Sequence, residues 1–131
     1  MIRIGILGDI GSGKSYVARQ FGYPVFNADL EVVKLYRKSK KSYIKLKRAL
    51  PNYVTSFPIK KQELLNAVDA NYKNLKKINK IVHPAIRQKM NRFIKKNRKK
   101  NFVVLDIPLL LENKINKNSD ILVFVDAKKK I

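Results

Sequence analysis

The sequence predicts an α/β fold in which a parallel sheet is flanked by helices on both faces. Short, apolar and largely β-branched runs at 2–7, 102–105 and 121–125 have the composition of buried strands, and 24–27 is a shorter fourth candidate. Helical segments separate these runs. Strands that alternate with helices are typical of a parallel sheet covered on both sides.

Helices are predicted between the strands from their apolar spacing and their stop signals. The first runs over 14–21 and ends at Gly22 and Pro24. Asp29 precedes a second, in which Leu30, Val33 and Leu35 would form the buried stripe.

The long middle segment is lysine-rich and helical in pattern. We expect helices at 42–50, 60–68, 72–82 and 84–97, with Pro84 in the first turn of the last one, where proline is tolerated. The segment exceeds a single crossover. We therefore predict one domain, 1–131, that carries a helical insertion at about 38–100 where a substrate is gripped.

Composition excludes several protein classes. The chain contains no cysteine, which excludes a disulfide scaffold, a thiolate metal site and a thiol nucleophile. No apolar run approaches the roughly 20 residues that span a bilayer, and the start lacks the pattern of a signal peptide. We expect a cytoplasmic protein with no membrane partner.

The net charge of +21 favours anionic ligands. Most of the excess is lysine, accompanied by abundant isoleucine and asparagine, and a charge run is usually a solvated surface. Small nucleotides are therefore the expected anionic partners, and nucleic acid is not an expected partner.

One segment carries a specific chemical signal. Residues 8–15 match G-x-x-x-x-G-K-[ST] directly after a predicted strand and before a predicted helix. Such a loop points its backbone N–H groups at phosphate oxygens, its lysine reaches the β- and γ-phosphates, and its serine ligates Mg²⁺. The predicted ATP-binding residues are Gly8, Gly11, Ser12, Gly13, Lys14, Ser15 and Tyr16.

Two carboxylates end predicted strands, where they would face the same phosphate site. Asp29 could accept the proton of an attacking hydroxyl, or it could simply cap the next helix. Asp106 has the position of a carboxylate that holds Mg²⁺, although many buried strands end in aspartate.

Two further segments are candidates for substrate binding. Pro108 and Leu109 would shape an apolar wall after the third strand, with Glu112 at its rim. His83 lies one turn before Arg87, whose guanidinium could pair with a phosphate, although a histidine in this position is more often structural.

Taken together, the chain resembles the dephospho-CoA kinase family of P-loop kinases. The resemblance rests on the phosphate loop, on Asn27-Ala28-Asp29 where the family has D-A-D, on His83-Pro84, and on the P-L-L-x-E pattern of 108–112. These motifs occur in the family's order. They imply a P-loop nucleoside-kinase-like sheet with a helical substrate-binding insertion.

The resemblance also implies an activity, with ATP and Mg²⁺ as cofactors. ATP would phosphorylate the ribose 3′-hydroxyl of dephospho-CoA, with Lys14 and Asp29 as catalytic residues. Asn27 replaces the first aspartate of the triplet, and Tyr16 replaces a small hydroxyl residue. The family's lid arginines and last strand have no counterpart before Ile131. We therefore expect either a truncated chain of reduced activity or a second chain that supplies the missing part.

Three alternatives remain open from the sequence. One is another P-loop nucleoside or nucleotide kinase, and a second is an inactive fragment that keeps only the nucleotide loop. The third is a basic, nucleic-acid-binding P-loop module without kinase activity, suggested by the cationic clusters at 37–41 and 95–100.

Overall fold

A computed structural model describes residues 1–7, 13–106 and 121–125. Gly8, Gly11, Ser12, Pro108, Leu109 and Glu112 lie outside the described residues. The elements, in chain order, are β1 (Ile2–Leu7), α1 (Lys14–Gln20), β2 (Val25–Asn27), α2 (Ala28–Lys38), α3 (Lys40–Ala49), α4 (Lys61–Ala70), α5 (Lys73–Lys96), β3 (Phe102–Asp106) and β4 (Ile121–Phe124).

The four strands form one sheet in the order β2-β3-β1-β4, and every neighbouring pair is parallel. The strand β3 therefore lies between β1 and β2, although it follows them by many residues in sequence. The predicted α/β fold class with a parallel sheet is confirmed.

Helices cover both faces of the sheet. On one face, Ala18 of α1 packs with Ile4, Ile6 and Val104, all of which are buried. Side chains alternate along a strand. Phe26 consequently points to the opposite face, where its ring lies 5.6 Å from that of Phe93 in α5.

The chain divides into two compact units. One comprises Met1–Asp29 and Lys89–Ile131, and it contains the whole sheet with α1. The other is Leu30–Gln88, which contains α3 and α4. The predicted helical insertion at about 38–100 stays a prediction.

The expected break before Pro84 is wrong. The predicted helices 72–82 and 84–97 are instead one continuous helix, α5, with Pro84 inside it. A proline within a helix removes one hydrogen bond and clashes with the carbonyl four residues earlier. The helix offsets that loss by burying one apolar face, whose residues recur every four positions. They are Ile78, Val82, Ile86 and Met90.

The predicted apolar stripe of α2 is also wrong. Of the three predicted residues, Leu35 is buried at 2% exposure, whereas Leu30 and Val33 are 58% and 43% exposed. At 3.6 residues per turn, positions five apart lie on different sides of a helix. Asp29 lies within the first turn of α2, because the helix already begins at Ala28.

Helix length by itself does not indicate a membrane protein. The described helices, including the 24-residue α5, contain no apolar stretch that could cross a bilayer.

Glu63 ties the start of α4 to the loop before it. One carboxylate oxygen accepts hydrogen bonds from the Thr55 amide at 2.6 Å and the Thr55 hydroxyl at 3.1 Å. The other oxygen accepts from the Ser56 hydroxyl at 2.8 Å. Burial raises the pKa of Glu63, but these bonds and the charge of Lys60 outweigh it and hold that pKa below 4.5.

We expect Glu63→Gln to lower the free energy of unfolding by about 1 kcal/mol at neutral pH. Because the folded pKa is depressed, the carboxylate's contribution is present above the unfolded pKa and declines as pH falls through the folded value. Urea unfolding at a series of pH values measures the difference between the two proteins. It should shrink below about pH 4.5.

The control is Asp69→Asn, which removes one exposed acid from the same helix. A loss of stability in Asp69→Asn equal to that in Glu63→Gln, with the same pH dependence, would contradict the role given to Glu63.

Candidate functional site

The carboxyl ends of three strands converge on one polar cluster. In the parallel register, Asp106 at the end of β3 is aligned with Ile6 of β1 and Asn27 of β2. Aligned residues of neighbouring strands point to the same face. Asp106 and Asn27 therefore lie side by side on the face that α1 covers.

A turn at Gly13 places the start of α1 next to this cluster. Gly13 is the N-cap of α1 and has φ 87°, a left-handed conformation that residues with a side chain adopt at a cost. Its carbonyl accepts the first helical hydrogen bond from the Val17 amide at 3.0 Å. Lys14 and Ser15 are consequently the first two residues of the helix and project toward the strand ends.

Asp106 is the centre of the cluster. One of its oxygens forms a salt bridge with the Lys14 ammonium. The other oxygen accepts hydrogen bonds from the Ser15 hydroxyl and from the Asn27 amide, each at 3.1 Å. The structure thus brings together three residues predicted from two distant motifs, namely Lys14, Ser15 and Asp106.

Both charges of this salt bridge are buried, so each needs its partner. Lys14 is 6% exposed and Asp106 is 1% exposed, so both charges lie away from bulk water. Removal of one partner from a buried pair leaves an uncompensated charge, which is strongly destabilising. Lys14 and Asp106 therefore depend on each other until another ion replaces one of them.

The oxygen atoms of Ser15 and Asp106 are placed as two ligands of Mg²⁺ would be. The Ser15 hydroxyl oxygen and an Asp106 carboxylate oxygen are 3.1 Å apart. Adjacent ligands of an octahedral Mg²⁺ at about 2.1 Å are separated by about 3.0 Å. No group of three or more His, Cys, Asp or Glu that could hold a metal occurs in the part of the chain that the structure describes. Mg²⁺ needs only one or two carboxylates when phosphate oxygens complete its shell.

Asn27 is a member of the cluster that sequence reasoning did not place in the site. Its departure from the D-A-D pattern was visible, but its partner was not, because Asp106 is 79 residues away. The strand register alone makes them neighbours. The amide is neutral, so the cluster holds one carboxylate at this point where an aspartate would give two.

Other predicted residues have less defined surroundings. Asp29 is exposed in the first turn of α2, two residues beyond Asn27. Tyr16 is 62% exposed on α1. The catalytic and substrate-binding role of Asp29 and the nucleotide contact of Tyr16 both stay predictions.

His83 and Arg87 lie within α5, in the unit Leu30–Gln88. The side chain of Arg87 has a buried Nε that finds no hydrogen-bond partner among the described residues. A buried N–H without a partner is destabilising by about 1–3 kcal/mol, which an acceptor from a ligand would offset.

A family comparison assigns the chain as a whole. The family model described as dephospho-CoA kinase matches residues 2–131. The chain belongs to the dephospho-CoA kinase family. The resemblance predicted from the motifs is therefore confirmed over nearly the full sequence.

Curated dephospho-CoA kinases align along most of this chain. The protein from Bartonella henselae is 39% identical and the one from Wolbachia pipientis wMel is 36% identical, each over 129 residues. Both alignments cover 95% of this chain and 66% of the relative. This member of the dephospho-CoA kinase family thus spans slightly less than two thirds of the length of those relatives.

A solved structure supports the fold of this dephospho-CoA kinase family member. The crystal structure of TT1252 from Thermus thermophilus matches with a TM-score of 0.77 and 31% sequence identity. The match covers 95% of this chain and 64% of that protein.

We expect Asp106→Leu to lower the free energy of unfolding by about 3–5 kcal/mol, because it strands a buried Lys14. Urea unfolding without nucleotide measures the loss. The double variant Lys14→Met/Asp106→Leu removes both charges and should be more stable than Asp106→Leu alone. A double variant that loses the sum of both single effects would contradict the coupling.

We expect Asn27→Asp to lose about 1.5–3 kcal/mol of stability without divalent cations, since a donor to Asp106 becomes a like charge. Mg²⁺ should raise the melting temperature of this variant more than that of the wild type. Asn27→Ala is the control, because it removes the donor without adding charge. Equal Mg²⁺ effects in all three proteins would contradict this interpretation of Asn27.

Proposed function

We propose that this family member transfers the γ-phosphoryl group of ATP to the ribose 3′-hydroxyl of dephospho-CoA. The observation that supports it most is the convergence of Lys14 and Ser15, at the start of α1, on the carboxylate of Asp106. Phosphoryl transfer depends mainly on positioning and on neutralising phosphate charge. A buried cation beside a hydroxyl and a carboxylate supplies the groups that this needs.

Lys14 is the residue that would change partners when ATP binds. Its ammonium group would leave Asp106 for the β- and γ-phosphate oxygens, so that the buried cation stays paired. Ser15 and Asp106 would then be the protein ligands of Mg²⁺, which supplies Lewis-acid neutralisation of the phosphates when bound. Asn27 would keep its hold on the Asp106 carboxylate and so preserve its orientation.

Asp29 is the proposed catalytic base. It follows the end of β2 by two residues and is exposed, so an acceptor hydroxyl could reach its carboxylate from solvent. In this reaction class a carboxylate accepts or orients the hydroxyl proton as the phosphoryl group is transferred.

Recognition of the acceptor is assigned to residues of the helical segment and of the chain after β3. Arg87 is a candidate for an anionic group of dephospho-CoA, because a phosphate oxygen would satisfy its buried Nε. His83, one turn earlier, is a second candidate in that helix for contact with the acceptor. Pro108, Leu109 and Glu112, which lie outside the described residues, are separate candidates for acceptor contact. We also propose that residues 1–131 form one domain and that the protein is cytoplasmic.

The decisive experiment measures ADP release with Mg²⁺-ATP and dephospho-CoA. We expect dephospho-CoA to stimulate ADP release. Lys14→Ala should abolish the stimulation, because it removes the phosphate contacts of the ammonium and also leaves the buried Asp106 carboxylate without its cation. Asp29→Asn should reduce turnover at least about tenfold with little change in the affinity for ATP, since a general base acts on the chemical step.

Arg19→Ala is a matched control, because it removes one exposed cation from the same helix as Lys14. Full activity in Asp29→Asn would refute the role of that carboxylate. ADP release stimulated by a nucleoside or nucleoside monophosphate in place of dephospho-CoA would refute the acceptor and support another P-loop kinase.

A further inference from the structure

Six cations gather around one cleft in the sheet-containing unit. The cleft has a volume of about 550 Å³, and its lining consists of Arg92, Lys95, Lys96, Arg98, Lys99 and Lys100. All six side chains are exposed. We call this feature the basic cleft. Its lining contains no acidic residue, and residues 89–100 contain none either.

Local helix electrostatics explain only part of this cluster. Lys95 and Lys96 lie in the last turn of α5, where cations interact favourably with the helix dipole. Arg98, Lys99 and Lys100 lie beyond the last residue of α5, and Arg92 lies before its last turn. A lysine excess spread evenly over a solvated surface would likewise not concentrate around one concavity.

The basic cleft lies at the other end of the sheet from the Lys14–Asp106 cluster. Lys100 is two residues before Phe102, the first residue of β3, and the Asn101 carbonyl accepts a hydrogen bond from the Ile2 amide at 2.8 Å. Asp106 is the last residue of the same strand. Four strand steps separate Phe102 and Asp106 by about 13 Å. The basic cleft is thus distinct from the proposed ATP site.

We propose that the basic cleft binds the phosphodiester backbone of a single-stranded nucleic acid. Its cations neutralise successive phosphates, and their long side chains can follow a flexible strand into a concave surface.

An aromatic pair at the amino end of β3 favours a single-stranded nucleic acid over a duplex as the ligand. The rings of Tyr23 and Phe102 are stacked with centroids 4.7 Å apart, and Tyr23 is 39% exposed. Phe102 follows the last lysine of the cleft by two residues. An exposed aromatic ring beside a cationic groove is a platform on which an unpaired base can stack.

The first test compares two charge-matched triple variants of the full chain. Lys95→Gln/Lys96→Gln/Lys99→Gln changes the cleft, and Lys61→Gln/Lys76→Gln/Lys80→Gln removes three exposed lysines of the other unit that belong to neither cationic cluster. Fluorescence anisotropy with a labelled oligouridylate of about 20 nucleotides gives the affinity between about 50 and 200 mM salt.

We expect the cleft variant to lose affinity. The negative slope of log K against log salt should become shallower by about 2, because three phosphate contacts are lost. The other triple variant should keep both values close to those of the wild type. Equal losses in the two variants would overturn the proposal, since net charge alone would then explain binding. No binding by the wild type would overturn it as well.

The second test addresses the stacking platform and the alternative surface. We expect Tyr23→Leu to weaken single-strand binding about fivefold and to leave duplex binding unchanged. A saturating ATP analogue should not displace the oligonucleotide. Displacement by the analogue, or cleft-dependent binding of phosphatidylserine vesicles in place of the oligonucleotide, would overturn the proposal.

Discussion

The buried salt bridge between Lys14 and Asp106 is the constraint on which the site depends. Lys14 is at the start of α1 and Asp106 is at the end of β3, 92 residues later. Two charges that are almost fully removed from water must stay paired. The pair therefore fixes the first turn of α1 against the strand ends, where Gly13 supplies the left-handed turn that the approach requires.

The same carboxylate links the fold to the proposed chemistry. Asp106 accepts from Ser15 and Asn27 as well as from Lys14, so every described residue of the cluster contacts it. If a phosphate attracted the Lys14 ammonium, the Asp106 carboxylate would lose that partner. It could then bind a cation together with the Ser15 hydroxyl. Nucleotide and metal binding would then be coupled through one side chain, with Asn27 holding that side chain during the exchange.

Charge is organised differently at the two ends of the sheet. At the carboxyl ends of the strands, one buried cation is balanced by one buried carboxylate. At the amino end of β3, six exposed cations surround a cleft whose lining has no acidic residue. The first arrangement suits a compact triphosphate that replaces the carboxylate, and the second suits an extended polyanion that meets many cations in water.

The sequence alone determined the parallel α/β fold class, the family and most of the strands. These follow from local signals: β-branched runs, the glycine-lysine-serine loop and strand-terminal aspartates. Only the tertiary structure decided that Asn27 belongs to the cluster and that α5 continues through Pro84. Asn27 depends on a strand register set by residues far apart in sequence, and α5 depends on burial of Ile78, Val82, Ile86 and Met90, which outweighs the local penalty of a proline.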